Sequence, residues 1–294
     1  MINKTHEAVM VEEVLTHLLG NKIGTYVDCT FGAGGHSSSI LKELKTEGLL
    51  FGMDKDVSVK DKVPEELKAD NRFSLINDNF SNCNNHFLEN SLDGILIDLG
   101  ISSTQLDNSK RGFSFQENGP LDMRLNQEEG FSAEQWINTA KQKEIETVFW
   151  ELGEERASRK IAKIICDGRV KNPIETTQDL ANIVLSCIPR RGKKHPATNI
   201  FRAIRMHVNQ EIDELQAILE SACLLLKAEG RIAIISFHSI EDRVVKRFFQ
   251  GKDRIFSETK FNSIGGKHIK PSREEIKLNP RSRSAILRVA EKAA

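Results

Sequence analysis

Two hydrophobic periods alternate along the first hundred residues. Val9 to Leu19 carries apolar residues at helical spacing, and the polar stretch Asn21 to Gly24 ends it, which predicts a short amphipathic helix. Tyr26-Val27-Asp28-Cys29 then reads as a strand, followed by a glycine-rich turn and a helix from about Ser37 to Leu44. A second strand, Leu49-Leu50-Phe51-Gly52-Met53, stops at Asp54; Phe73-Ser74-Leu75-Ile76 reads as a third, and Gly94-Ile95-Leu96-Ile97 as a fourth that ends at Asp98. Continuous apolar strands alternating with helical patterns are buried on both faces. They predict an α/β protein with a Rossmann-like, doubly wound parallel sheet.

The pattern changes after the fourth strand. From Asp107 to Arg205 there are helical stretches and loops with no convincing strand, which predicts an inserted helical domain, 107–205, within a discontinuous domain made of 1–106 and 206–294. A helix from about Glu211 to Lys227 is expected to stop at Gly230, and Ile232-Ala233-Ile234-Ile235-Ser236-Phe237 resumes the sheet. The Ala285-Ile286-Leu287-Arg288-Val289 run adds a final strand.

Composition adds limits. With 294 residues, 39% hydrophobic and 29% charged, the chain can bury a large core, and no apolar run reaches the roughly 18 residues of a membrane span. The first residues lack the basic-then-apolar pattern of a secretory signal, so a cytoplasmic protein that does not engage membranes is expected. Five dispersed cysteines (Cys29, Cys83, Cys166, Cys187, Cys223) form no Cys-x-x-Cys pair and read as reduced, packed thiols. No cluster with metal-ligand spacing appears. Net charge is zero, but from Asp107 to Glu155 there are 5 Lys/Arg against 11 Asp/Glu, and from Arg156 to Arg205 there are 12 against 3. The second of these stretches is the candidate polyanion surface.

The turn Asp28-Cys29-Thr30-Phe31-Gly32-Ala33-Gly34-Gly35-His36 lies between a strand and a helix, where glycines admit a ligand to the backbone and helix amides face it. As a dinucleotide fingerprint, Gly32-x-Gly34-x-x-Ser37 lacks its third glycine and already has an acid at Asp28. An acid ahead of Gly-x-Gly suits S-adenosylmethionine better, because that ligand has no pyrophosphate and presents an ammonium. Asp54, 20 residues after Gly34, can accept ribose hydroxyls, a geometry that NAD enzymes share. Asp78 and Phe80 follow the third strand, where an adenine needs a polar edge and an apolar face.

Longer stretches carry a resemblance. His6-Glu7-Ala8-Val9, Asp28 through His36, Asp93 through Ser103 with Gln105-Leu106-Asp107, Arg111-Gly112-Phe113-Ser114-Phe115 and Gly119-Pro120-Leu121-Asp122-Met123-Arg124 belong to it. So do Gly153-Glu154-Glu155-Arg156, His195-Pro196-Ala197-Thr198 and Ser236-Phe237-His238-Ser239-Ile240-Glu241-Asp242-Arg243. Over nearly its whole length the chain resembles the RsmH/MraW family of small-subunit ribosomal RNA cytosine N(4)-methyltransferases. Ala33 and Thr104 stand where that family often carries a larger residue and a proline. The resemblance implies a class I methyltransferase fold with a helical insertion that recognises RNA, acting on a cytidine of the decoding region in 16S RNA or the 30S subunit. Carried over by motif, Gly34, Gly35, His36, Asp54, Phe80, Asp98 and Gln105 contact the cofactor or border the transfer site, beside Asp28 and Gly32.

A cytosine amine delocalises its lone pair into the ring, so an acceptor beside its N–H groups aids attack and proton removal. Asp98 is the candidate acceptor; the alternative is that it contacts only the methionine part of the cofactor. Amino-methyltransferases that carry Asp/Asn-Pro-Pro-aromatic here stack that aromatic on the flipped base. This chain has Asp98-Leu99-Gly100-Ile101 instead, which turns attention to Phe113, Phe115 and the Phe237-His238 pair. The run Arg190-Arg191-Gly192-Lys193-Lys194-His195, with Arg202 and Arg205, supplies phosphate-binding charge, and Arg281 and Arg283 extend it. An NAD-dependent oxidoreductase and a non-catalytic RNA-binding assembly factor are the rival classes. Homodimerisation is left open by the sequence.

Overall fold

In a computed structural model, residues 8–190, 195–252 and 260–294 are described. The chain divides into two compact units, one made of Met1–Gly100 with Asp213–Ala294 and the other of Ile101–Ile212. The junctions therefore fall at Gly100/Ile101 and Ile212/Asp213, where the sequence pattern suggested 106/107 and 205/206.

In chain order the first unit contains α1 (Val11–Leu18), β1 (Thr25–Asp28), α2 (Gly35–Glu43), β2 (Leu49–Met53), α3 (Glu65–Lys68), β3 (Phe73–Ile76) and β4 (Leu92–Asp98). The second contains α4 (Ser103–Asp107), α5 (Ala133–Thr139), α6 (Gln142–Glu151), α7 (Ser158–Arg169), α8 (Thr177–Cys187) and α9 (Ala197–Val208). The chain then runs through α10 (Glu211–Leu225), β5 (Leu226–Ser236), α11 (Ser239–Phe249), β6 (Phe261–Ile269), α12 (Arg273–Leu278) and β7 (Ile286–Lys292).

Among the described residues, seven strands form one sheet of order β3-β2-β1-β4-β5-β7-β6. β1 to β5 are mutually parallel, and β7 is antiparallel to both β5 and β6. Period-two alternation divides the strand residues between the two faces. Val27, Ile95, Ile97, Ile232 and Ile234 pack into one core with α10 residues Leu215, Ile218 and Leu219. Tyr26, Leu96, Ala233 and Ile235 pack into the other with Val14 and Leu18 of α1 and Ile40 and Leu41 of α2. Both faces of the central strands are thus dry, which is why they read as unbroken apolar runs.

Gly230 does not stop a helix. α10 ends at Leu225 and β5 begins at the next residue, with the register slipping between Leu92↔Leu226 and Gly94↔Arg231. The slip accommodates a tight turn with Glu229 at φ 63, and a Cβ on Gly230 would lie 2.9 Å from the Lys227 carbonyl. β6 has no counterpart in the sequence reading. It is a largely exposed edge strand whose apolar residues are Phe261, Ile264 and Ile269, interrupted by Gly265 and Gly266, so it lacks the pattern that betrays a buried strand.

The helical unit has its own core, built on Phe149, Ile161, Ile165, Leu180, Val184, Ile200 and Ile204. Among its described residues β-structure is limited to an isolated bridge between Pro120 and Thr176. Capping boxes at Ser102/Gln105, Ser132/Gln135 and Thr176/Asp179 start α4, α5 and α8 by satisfying backbone donors at both ends of the motif.

Candidate active site

Parallel sheets bind ligands beyond the carboxyl ends of their strands, at the point where the winding reverses. Here that point lies between β1 and β4, which pair through Asp28↔Leu96. Asp28 ends β1, Asp54 follows β2, Asp98 ends β4 and Phe237 follows β5, so four of the expected site residues share this edge.

Asp28 is 1% exposed and anchors the loop that follows it. Its Oδ2 accepts from the Ser37 hydroxyl at 2.7 Å and its Oδ1 from the Thr30 amide at 3.2 Å. Burial pushes its pKa above the ordinary carboxylate value, against the lowering effects of His36 and Ser37. The Thr30 hydroxyl accepts from the Asp98 amide at 2.6 Å, which ties the loop to the end of β4. The loop turns through Gly32 (φ 57) and Gly34 (φ 78), both left-handed. Gly34 is the N-cap of α2, and a Cβ there would sit 2.8 Å from Cζ of Phe31. These two positions require glycine.

Asp54 accepts from the Gly32 amide at 2.9 Å and from the Asp56 amide at 2.9 Å, and burial raises its pKa. A clasp that the sequence did not reveal holds this side of the site. Lys55 Nζ lies 2.8 Å from each oxygen of Glu214 on α10, and Asn79 donates to the same carboxylate at 2.6 Å. Asn79 also accepts from the Ser81 amide, setting the turn that carries Phe80, and Asn77 donates to the Asp54 carbonyl at 2.8 Å. Glu214 is 159 residues from Lys55, so no local spacing could have signalled it. Phe80 is half-buried and packs against the α10 side of the core. Asp78 is committed to His86 at 2.7 Å.

His36 occupies the first turn of α2 and is 5% exposed. Among the described residues neither of its ring nitrogens has a hydrogen-bond partner, and neither does Oδ1 of Asp98. Nε2 of His36 lies 3.6 Å from the other Asp98 oxygen. Burial disfavours the imidazolium, but the approach and charge of Asp98, followed by the charges of Asp28 and Glu275, outweigh burial and raise the His36 pKa.

Phe237 and His238 follow β5. The Phe237 amide donates to Oε2 of Glu241 at 3.0 Å, and His238 caps α11 through Nδ1, which accepts from the Glu241 amide at 3.4 Å. Nε2 of His238 lies 2.9 Å from Oε1 of Glu241, with both side chains under one tenth exposed.

In the helical unit, Gln105 closes the capping box of α4, its Oε1 accepting from the Ser102 amide at 3.0 Å. Phe113 is buried at 6%, with the Arg111 guanidinium 5.6 Å from its ring centre. Phe115 packs against His195 in a tilted arrangement and against Phe201 edge-on, with ring centres 4.7 Å away in each case, and His195 accepts from the Ala197 amide. Arg205 pairs with both oxygens of Glu211 at 2.8 and 2.9 Å, and Arg202 donates to the Gly153 carbonyl at 3.2 Å. Arg190 is exposed, as are Arg281 and Arg283 in the other unit. Arg191, Lys193 and Lys194 lie outside the described residues.

The cradle fits a small nucleoside-like cofactor bearing charge. It offers two glycines in conformations that bring backbone to a ligand, three carboxylates at adjacent strand ends, and buried polar atoms on His36 and Asp98 that lack partners. This sheet order with an antiparallel β7, and this placement of acids around a glycine loop, define a class I methyltransferase that uses S-adenosylmethionine.

The chain belongs to the MraW methylase family, whose model matches residues 3–293. It is 43% identical over 304 residues to a ribosomal RNA small subunit methyltransferase H of Coxiella burnetii, covering 98% of this chain and 99% of the relative. The protein of the same description from Legionella pneumophila is 43% identical over 305 residues, covering 98% and 99%. A solved rRNA methylase from Streptococcus thermophilus is more remote, at 13% identity and a TM-score of 0.42 over 97% of this chain and 94% of that one. Among the described residues no helix is long and apolar enough to cross a membrane.

Proposed function

We propose that this chain transfers a methyl group from S-adenosylmethionine to the exocyclic N(4) amine of a cytidine in the decoding region of small-subunit ribosomal RNA. Ribosomal RNA methylation from S-adenosylmethionine follows from the family and its relatives; the amine target, the nucleotide and the residue roles are the reading offered here. The observation that carries it is the Asp98 carboxylate at the end of β4, with one buried oxygen lacking a partner among the described residues.

Bound at the glycine loop, the cofactor supplies a methyl group already activated on a sulfonium. The chain's part is alignment and proton handling. Asp28 holds the loop through Ser37 and Thr30 and brings negative charge to the cofactor's ammonium. Asp54 faces the ribose hydroxyls, the turn at Phe80 receives the adenine, and Gly32, Gly34, Gly35 and the first turn of α2 admit the ligand to the backbone. Asp98 accepts a hydrogen bond from the amine and then its proton, work that a positioned base supports at about 10²–10⁴-fold. Gln105, at the start of the helical unit, borders the cofactor in the same reading.

RNA is held by the helical unit, with Arg190, Arg191, Lys193, Lys194 and His195 at its phosphates and Phe237 and His238 near the base. The 30S subunit in the cytoplasm is the expected setting.

The test is transfer of labelled methyl onto small subunits that lack the mark, followed by nucleoside mass analysis. Label on N(4) of a cytidine is expected; label on a ribose or on carbon-5 of the base overturns the reading.

A further inference from the structure

At the carboxyl edge of the sheet, both ring nitrogens of His36 and Oδ1 of Asp98 lack, among the described residues, the hydrogen bonds that buried polar groups ordinarily have. An unsatisfied buried imidazole is destabilising, so its retention requires a compensating interaction. Among the described residues, Oδ2 of Asp98 lies within reach, 3.6 Å from Nε2. We propose that His36 is a positioning residue for methyl transfer: as an imidazolium it engages Oδ2 of Asp98, fixes the carboxylate plane, and leaves Oδ1 as the acceptor for the amine proton. This rests on the assignment of Asp98 as the acceptor. In the step it serves, a bond forms between the amine nitrogen and the methyl carbon. The carbon–sulfur bond breaks with its electron pair left on sulfur, and the amine proton passes to Oδ1.

The surrounding charges explain why the imidazole is needed in its charged form. It faces Asp98 from β4, Asp28 from β1 and Glu275 from α12; Glu275 is in turn influenced by Glu13 of α1 and accepts from the Met10 amide at 2.7 Å. The charge of Asp98 raises the pKa of buried Asp28, and His36 is the cation that lowers it. When His36 loses its proton, that effect of Asp98 is uncompensated in a region of low dielectric. The acceptor is then no longer held in place by a cation.

The pair can be observed without substrate or cofactor. In the full chain, nitrogen NMR of the histidine rings against pH is expected to show His36 titrating above an ordinary histidine, and Asp98→Asn is expected to lower that midpoint. A His36 midpoint that is ordinary, or indifferent to Asp98→Asn, overturns the dyad, whatever nucleoside is methylated. For function, His36→Leu is expected to reduce kcat at least tenfold with little change in KM for the cofactor. The parent is expected to lose kcat on the alkaline side; His36→Gln, which keeps an N–H donor but cannot titrate, is expected to recover part of the His36→Leu loss and to abolish that decline. An alkaline decline unchanged in His36→Gln, or a kcat unaffected in His36→Leu, likewise overturns the proposal. Label found on a ribose instead would sink the amine reading and leave the NMR result standing.

Discussion

The two units use their charged side chains in opposite ways. At the strand ends of the sheet unit, buried charge is left incompletely satisfied: His36 and Asp98 sit 3.6 Å apart with three polar atoms lacking partners among the described residues. In the helical unit, where 12 basic residues stand against 3 acids from Arg156 to Arg205, much of that excess is spent on the fold itself. Lys160 caps the Cys187 carbonyl, Arg169 holds the carbonyls of Ile137 and Ala140, Arg202 reaches Gly153, and Arg205 is forked onto Glu211. A charge count along a sequence therefore overstates a binding surface wherever long cations can reach helix ends. An incompletely satisfied buried pair identifies a site that no count reveals.

The largest effect that separates the units is expected at Asp98. Asp98→Ala is predicted to fold and to bind RNA while losing at least tenfold in methyl transfer, measured as single-turnover rate on small subunits; unchanged turnover would remove the contrast. Next comes Arg205→Ala. Its guanidinium is 15% exposed and Glu211 12%, so removing it strands a mostly buried carboxylate at a cost on the order of 3 kcal/mol. A lowered urea midpoint is expected, with cofactor affinity preserved. Gly34→Ala should cost about 1–2 kcal/mol from its left-handed backbone, with an added clash against Phe31, and weaken cofactor binding by calorimetry.

A smaller effect should follow pH. The folded pKa of His36 is raised, so its pairing stabilises the fold fully below the unfolded value of about 6.5, and that contribution is lost as pH rises through the folded value. Denaturation midpoints of the parent and of His36→Gln should therefore converge on the alkaline side.

How much of this was legible depended on whether the cause was local. β1, β2 and β4 were readable because burial makes each an apolar run, β3 because Phe73, Leu75 and Ile76 still mark an edge strand that is only half-buried, and the loop because Gly32 and Gly34 have positive φ that few other residues tolerate. Asp28, Asp54 and Asp98 were readable as acids at strand ends. The Glu214 clasp was not, because it joins β2 and the Phe80 turn to α10 across more than a hundred residues of chain. β6 was hidden by its exposure, and Gly230 misled because a glycine after a helical pattern signals a cap just as it signals a turn within a strand. The in-chain partners of Arg202 and Arg205 were hidden for a related reason: sequence shows charge but not which carbonyl or carboxylate lies within reach.

The smallest expected effect tests what remains of the basic segment. Arg190 is exposed at the end of the helical unit's α8 loop and influences His195 by charge alone. If the helical unit holds RNA by phosphate contact, Arg190→Ala leaves the urea midpoint within about 0.5 kcal/mol of the parent. It should also weaken RNA binding similarly across sequences and reduce the slope of log affinity against log salt by about one. Arg202→Ala should show the reverse, a loss of stability with an unchanged salt slope, because its guanidinium is spent on the Gly153 carbonyl. Equal salt slopes for Arg190→Ala and the parent would remove Arg190 from the phosphate contacts.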